Sequence, residues 1–210
     1  MKWLLLAILI APCMSQLLHK GVCPAVNNQI DLTVPKFSGV WYEYSRTRFW
    51  TGFEVDCTCY EIDSNSTDSL NVTYNSVTPR FNQAWHKNFN VPLSGPLNWT
   101  LSFDNSTLRV LGGISKHYLV LWTCQPLPGM LRYESLLILT RNPMPEDVVV
   151  QLAIMDVYKC GMSSKMLMRT RQKDCEKDYA NAMNDDDADD DDTDDVNDES
   201  DDLSYFLAFP

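Results

Sequence analysis

The stretch FSGVWYEYSR, Phe37 to Arg46, places a glycine two residues before a tryptophan and follows it with two tyrosines. Downstream, segments rich in Val, Tyr, Phe, Trp and Thr alternate with clusters of turn-forming residues. This spacing favours an all-β, up-and-down antiparallel barrel, in which closure removes exposed edges. A barrel of eight strands has room for one small ligand. The predicted strands are 39–48, 55–63, 69–78, 82–90, 97–103, 107–111, 117–124 and 133–141.

The sequence period changes after the last predicted strand. Pro143 and Pro145 stop that strand, and Glu146 and Asp147 supply acidic residues for the first turn of a helix. Apolar residues then recur at helical spacing up to Gly161, which is a typical helix stop. We therefore expect one C-terminal α-helix packed against the outside of the barrel.

Residues 1–18 contain one lysine, a short apolar run and then small residues, which is typical of a secretory signal peptide. The apolar run is short for a membrane span, and no later run is longer, so no transmembrane segment is predicted. We expect a secreted, extracellular protein in which residues 19–178 form the barrel and its helix.

Cysteine usage supports this location. Cys13 lies in the signal peptide, and an even set of six in an oxidising compartment predicts three disulfides, with 15 possible pairings. Only one pair is close in sequence, so a structural zinc site is disfavoured and no metal site or cofactor is predicted. The six cysteines are Cys23, Cys57, Cys59, Cys124, Cys160 and Cys175.

Four Asn-X-Ser/Thr sequons also fit export. A glycan must sit in water, so these asparagines predict loops or outward-facing strand positions. They are Asn65, Asn71, Asn98 and Asn105.

Residues 179–210 are predicted to form a disordered, aspartate-rich tail with a short apolar end. The run 185–202 has thirteen acidic residues and no basic ones, so of the net charge of −11 the rest of the chain keeps about +2. A solvating tail is the favoured interpretation. The alternative is loose binding of Ca²⁺ or of a basic surface, although no EF-hand spacing is present.

Alternation along the second predicted strand tests the barrel. The outer face receives Cys57, Cys59 and Glu61, and the inner face receives Thr58, Tyr60 and Ile62. Charged and cysteine positions thus share one face, and a mostly apolar face remains for the interior.

The opening stretch, with its surroundings, resembles the lipocalin family. Gly39-Val40-Trp41 is similar to the family's Gly-x-Trp signature, with Cys23-Pro24 upstream, 118–124 on the seventh strand and Arg141 closing the eighth. Cys175 completes a pattern similar to the apolipoprotein D branch, with its relatives the insect bilin-binding proteins and crustacyanins. The resemblance covers about residues 20 to 175.

The resemblance implies the disulfides Cys23–Cys124 and Cys57–Cys175, which leaves Cys59 to pair with Cys160. It also implies that Gly39, Trp41 and Arg141 form a structural motif, with Arg141 packed across the indole in a cation–π contact. One departure is the turn at about Gly113 to Ser115, where the family usually carries a Thr-Asp-Tyr-like sequence.

The leading functional expectation is a secreted carrier that transports a small hydrophobic ligand inside the barrel. Candidate ligands are fatty acids, steroids, retinoids, carotenoids and bilins. Strand alternation predicts a pocket lined by seven residues, each of which could equally be packing in the barrel. They are Tyr44, Tyr60, Ile62, Trp85, Leu119, Leu121 and Leu137.

Two other function classes were compared with the carrier. An enzyme is not expected, because only three histidines are present, no His-Glu-x-x-His or Gly-x-Ser-x-Gly occurs, and all cysteines are predicted to pair. The alternative is an extracellular interaction or matrix protein acting through a Ca²⁺-binding acidic tail. Nucleic-acid binding is disfavoured, because no basic stripe exists and the tail would repel phosphates.

Overall fold

In the computed structural model, residues 18–25, 37–47, 55–63, 69–81, 83–95, 98–100 and 107–186 are described. The strands are β1 (Leu18–Lys20), β2 (Gly39–Thr47), β3 (Asp56–Asp63), β4 (Ser69–Thr78), β5 (Gln83–Gly95), β6 (Asn98–Thr100), β7 (Thr107–Ile114), β8 (Tyr118–Leu127), β9 (Leu131–Thr140) and β10 (Leu167–Arg169). The helices are α1 (Asp147–Lys159) and α2 (Cys175–Asp186), and a 3₁₀ turn spans Ser164–Met166.

Strands β2 to β9 are all antiparallel and follow one another in space as they do in sequence. β2 pairs with β3 along one edge and with β9 along the other, so the hydrogen-bonded pairings run round in a ring. The predicted eight-stranded up-and-down architecture is confirmed. The predicted bounds differ most at β5, which is longer than expected. Residues 97 and 101–103 of the predicted strand 97–103 lie outside the described residues.

A segment near the C-terminus fills a gap between β2 and β3. The two strands pair only from Gly39 to Tyr42, and β10 takes over the edge of β2 from Ser45 to Thr47. The Gln172 side chain then donates to the carbonyls of Glu43 at 2.9 Å and Thr58 at 2.8 Å. We call residues 167–172 the strap, because they join the two strands where they no longer touch.

Two apolar clusters lie on opposite sides of the barrel wall. The inner cluster has Trp41 and Phe37 at its base and includes Leu119, Leu121 and Leu137. The outer cluster joins β8 and β9 to α1, with Val120, Trp122 and Ile138 against Ala153 and Val157 of the helix. Successive residues of β8 therefore face different cores, as strand alternation requires.

Helix α1 confirms the predicted C-terminal helix. It packs on β7 and β8, and Tyr118 donates its hydroxyl to Asp156 at 2.7 Å. The strand β7 ends at Ile114, and the amide of His117 donates to the Ile114 carbonyl at 2.7 Å, so the turn predicted near Gly113 is present.

Helix α2 was not predicted, and it extends to Asp186, past residue 178 where the tail was expected to begin. Its first turn holds the acidic Glu176 and Asp178, which favour a helix N-terminus. Tyr179 packs with Cys57 and Val77 and donates its hydroxyl to the Cys57 carbonyl at 2.9 Å. Of the predicted signal peptide only Leu18 is described, in β1, and residues 1–17 and 187–210 lie outside the described residues.

Two of the three expected disulfides are present, Cys23–Cys124 and Cys57–Cys175. The third, Cys59–Cys160, is wrong, because both residues are thiols. Cys160 follows the last residue of α1, which packs on β7 and β8, whereas Cys59 lies in β3. β8 and β3 are three strand spacings apart around the ring, roughly 14 Å at about 4.8 Å per strand, which no disulfide can bridge.

Candidate ligand-binding site

The base of the barrel, which we call the floor, is closed by Trp41 and Phe37, both fully buried. The indole nitrogen of Trp41 donates to the Phe37 carbonyl at 2.7 Å. Arg141 lies over the indole with its guanidinium carbon 3.7 Å from the ring centroid, so the predicted contact is present. Gly39 has a φ of +97°, and a Cβ there would lie 3.2 Å from Arg141 Nη1. A side chain at residue 39 would therefore be strained and would crowd the guanidinium.

Arg141 also ties together the chain segments at the floor. Its guanidinium donates to the carbonyls of Ser38 at 2.8 Å, Val40 at 2.9 Å and Ser115 at 3.0 Å. Burial lowers the pKa of Arg141 from its usual value. These contacts belong to the end of the barrel and leave the space above Trp41 to other residues.

Above the floor the inner wall is apolar. Four of the predicted pocket residues, Ile62, Leu119, Leu121 and Leu137, belong to the inner cluster, and Tyr60 packs against it. Trp85 shares the inner face of β5 with Phe89 and Val91 by alternation, and its indole donates to Thr78 Oγ1 at 2.7 Å. The structure therefore brings six of the seven predicted residues to the inner face.

Tyr44 is the exception, and its assignment to the pocket is wrong. Its ring packs with the outer cluster, 4.4 Å from the guanidinium carbon of Arg169, which also donates to its hydroxyl at 2.7 Å. Tyr44 lies three residues after the inward Trp41, so alternation already places it outside. A register shift between Glu43 and Ser45 lies at the same point of β2.

The same shift brings a charge pair inside the barrel, which the sequence analysis missed. Glu43 lies opposite Leu139 and Arg46 opposite Leu137, and both leucines are in the inner cluster. Arg46 Nη1 is 2.9 Å from Glu43 Oε1. Alternation from Trp41 alone points Glu43 inward, but Arg46 is inward only because of the bulge.

Glu43 is almost fully buried and is held by further donors. Tyr60 donates to Glu43 Oε2 at 3.3 Å, and Thr170 of the strap donates to Oε1, the oxygen that Arg46 also contacts. Burial raises the pKa of Tyr60 well above its usual value, and the nearby Glu43 carboxylate adds to that shift. For Arg46, burial acts to lower the pKa, but the Glu43 charge, together with Tyr60, Tyr74 and Asp56, outweighs it and the pKa is raised.

The end of the barrel opposite the floor, which we call the far end, carries buried hydroxyls on the inner face. Strand alternation places three such residues on the inner face, one each on β4, β8 and β9: Ser76, Thr123 and Tyr133. Each is at most 5% exposed. Within the part of the chain that the structure describes, their oxygens make no hydrogen bond of good geometry, and only the hydroxyls of Tyr74 and Ser135 lie beside Ser76 and Tyr133. A buried polar group without a partner is costly, so these positions suit a bound molecule.

The histidines His86 and His117 and the two thiols do not face the interior of the barrel. His86 is on the outer face, with Nδ1 2.7 Å from the Asn75 side chain, and His117 is exposed. Cys59 lies next to the inward-facing Tyr60 on β3, so alternation points it outward. Cys160 packs in the outer cluster. Burial raises the pKa of both thiols, which makes them poor nucleophiles at neutral pH.

Of the predicted glycosylation sites, Asn71 is exposed on β4, where the Asn90 side chain donates to it at 2.9 Å. Asn65, Asn105 and the side chain of Asn98 lie outside the described residues. Among the described residues no helix is long and apolar enough to span a membrane, and no group of His, Cys, Asp or Glu could hold a metal ion.

Comparison by sequence finds no matching family model and no matching curated protein. Solved structures do match. Lobster apocrustacyanin A1 superposes with a TM-score of 0.66 at 14% identity, covering 77% of this chain and 94% of its own. Insecticyanin from the tobacco hornworm Manduca sexta gives 0.64 at 16% identity, covering 76% and 90%. The siderocalin Ex-FABP gives 0.52 at 12% identity, covering 65% and 94%. The eight-stranded barrel, the outer helix and these neighbours together establish that this chain has the lipocalin fold.

Proposed function

We propose that the protein is a secreted carrier of a small hydrophobic ligand, held inside the barrel. The observation that carries the proposal is the inner face itself, where an apolar wall above Trp41 leads to buried hydroxyls that make no well-formed hydrogen bond among the described residues. Ligand sites of this kind combine apolar surface with a few orienting polar groups. The fatty acids, steroids, retinoids, carotenoids and bilins named above all fit that description.

The fold supports a binding role rather than catalysis. A structural neighbour, the siderocalin Ex-FABP, is described as functioning through dual ligand specificities. In this chain His86 and Cys160 lie outside the barrel wall, and the apolar inner face is suited to binding. The two disulfides support the proposed export, since such bonds persist in oxidising compartments.

Native mass spectrometry of the protein from its own source tests the carrier proposal, and visible absorbance tests for a pigment. In parallel, an environment-sensitive hydrophobic dye is titrated into the purified protein and two variants. Val72→Trp fills the inner space and should abolish dye binding, whereas Thr73→Trp changes the next residue, which faces outward, and should preserve it. Equal binding by both variants would place the dye outside the barrel and contradict the proposal.

Secretion is tested separately by expressing the full chain in a cell that exports proteins. N-terminal sequencing of the secreted product should start near residue 19, and enzymatic deglycosylation should lower its mass. Retention of an intact N-terminus inside the cell would contradict the export proposal without affecting the ligand site.

A further inference from the structure

Lys87 is a cation on the inner face of the barrel. β4 and β5 pair in regular register, and Lys87 is directly opposite Tyr74. Directly opposite residues share one face of a sheet, and Tyr74 shares the inner parity of Leu70 and Val72. Lys87 itself is half-buried, whereas its neighbours His86 and Asn88 are exposed. The lysine side chain therefore leaves β5 toward the interior.

The inner face of the described strands carries three charged residues, Glu43, Arg46 and Lys87. Glu43 and Arg46 neutralise each other in a direct ion pair. None of the ion pairs formed by the described residues includes Lys87. The described interior therefore has one positive charge in excess.

A buried hydroxyl that makes no well-formed hydrogen bond among the described residues lies near that charge, beside Tyr74. Ser76 is opposite Trp85, two residues before Lys87, so it is a diagonal neighbour of the lysine on the same face. Ser76 is fully buried, and its hydroxyl can donate a hydrogen bond to an anion that Lys87 attracts. Below them Val72, Phe89 and Val91 begin the apolar wall.

We propose, on the basis of the carrier function proposed above, that the ligand is an amphipathic anion whose acidic group is bound by Lys87 and Ser76. Its apolar body then extends along the inner wall toward Trp41. Among the candidate ligands this selects molecules with a carboxylate, such as fatty acids and acidic retinoids, over neutral steroids and carotenoids. A cationic ligand is disfavoured, because Glu43 already accepts from Arg46, Tyr60 and Thr170.

The test uses the full-length protein and a matched pair of probes, 11-dansylaminoundecanoic acid and its methyl ester, which differ in charge at one end. The acid should bind about tenfold or more tightly than the ester, since charge-assisted hydrogen bonds are the stronger class. Lys87→Met should remove that preference by weakening acid binding while leaving ester binding unchanged. Lys87→Arg keeps the charge and should keep the preference, and Lys116→Met, in an exposed turn, should have no effect.

The outcomes separate this inference from the carrier proposal. Equal affinity for acid and ester, or a preference that survives Lys87→Met, overturns the anion site while leaving the carrier intact. Failure of both probes to bind overturns the carrier proposal and the anion site with it. Circular dichroism of each variant checks that the barrel is folded.

Discussion

Asp156 of α1 occupies the space that a side chain at residue 112 of β7 would need. A Cβ built on Gly112 would lie 2.5 Å from Asp156 Cβ and 2.7 Å from its Cγ. Asp156 is fixed there by the hydroxyl of Tyr118 and by Lys159, 2.8 Å away. The helix is therefore seated on the barrel by a close contact that only glycine permits.

Gly112→Ala should destabilise the protein by about 1–3 kcal/mol, the usual cost of overpacking. The near-ultraviolet circular dichroism of Trp122 should change with it, because the outer cluster must open to make room. Gly129→Ala is the control, since no atom lies within 4 Å of a Cβ there and only its φ of +81° adds strain. A Gly112→Ala protein with wild-type stability and spectrum would contradict the docking contact.

Arg141→Met should lower the free energy of unfolding by about 2–4 kcal/mol. The change leaves three carbonyls without their donor and removes the cation over Trp41. Arg169→Met is the matched control, because that arginine also stacks on an aromatic ring but is exposed. It should cost no more than about 1 kcal/mol. Urea denaturation followed by tryptophan fluorescence compares them, and similar losses would argue against a special role for the floor.

Glu43→Ala should destabilise by about 3–5 kcal/mol, because Arg46 would be left buried without its counter-charge. Arg46→Met in the same chain should recover part of that loss. The double-mutant cycle, measured by chemical denaturation, gives the coupling between the two residues. Additive effects of the two single changes would show that the pair does not interact.

The denatured, mature protein should show two thiols, Cys59 and Cys160. Cys59→Ser and Cys160→Ser should each remove one, with little change in stability. Cys175→Ser breaks a disulfide that joins α2 to β3 and should cost about 2–4 kcal/mol. Thiol titration and peptide mass mapping measure this, and a protein without thiols would contradict the assignment of Cys59 and Cys160 as thiols.

Stability should fall as the pH rises above about 10. Burial raises the pKa of Tyr60, Tyr74 and Tyr118 above the usual value of 10.0 that applies in the unfolded chain. Above that value the unfolded chain loses protons that the folded protein keeps, so ionisation favours unfolding. Tyrosinate absorbance should rise at higher pH in the native than in the urea-unfolded protein. Coincident titration curves would contradict this.

The strands and α1 could be predicted because their signals are local. Turn residues bound each strand, and the two prolines before α1 mark the change from a period of two to a helical period. α2 was missed because its acidic sequence runs into the aspartate-rich tail. Its one visible signal is Cys175 and Tyr179 at helical spacing, and that spacing gains meaning only from the contact with Cys57.

The interior was predictable where alternation is regular and unpredictable where it breaks. Leu119 and Leu121 lie in a strand pairing without a register shift, so alternation correctly assigns both to the inner face. Arg46 depends on a bulge that no residue type in the stretch announces. The pairing of Cys59 with Cys160 failed for another reason, since it requires knowing on which strands α1 rests.

The strap has a consequence for the order of folding. Gln172 donates to the carbonyls of Glu43 and Thr58, which precede it in the chain by 129 and 114 positions. Thr170 donates to the Glu43 side chain inside the barrel. Contacts between such distant residues form late and slow the search for the native state. A chain emerging residue by residue can build β2 to β9 but cannot complete the wall between β2 and β3 until residue 172 has emerged. Completion of this barrel therefore waits for the strap, however early β2 to β9 have paired.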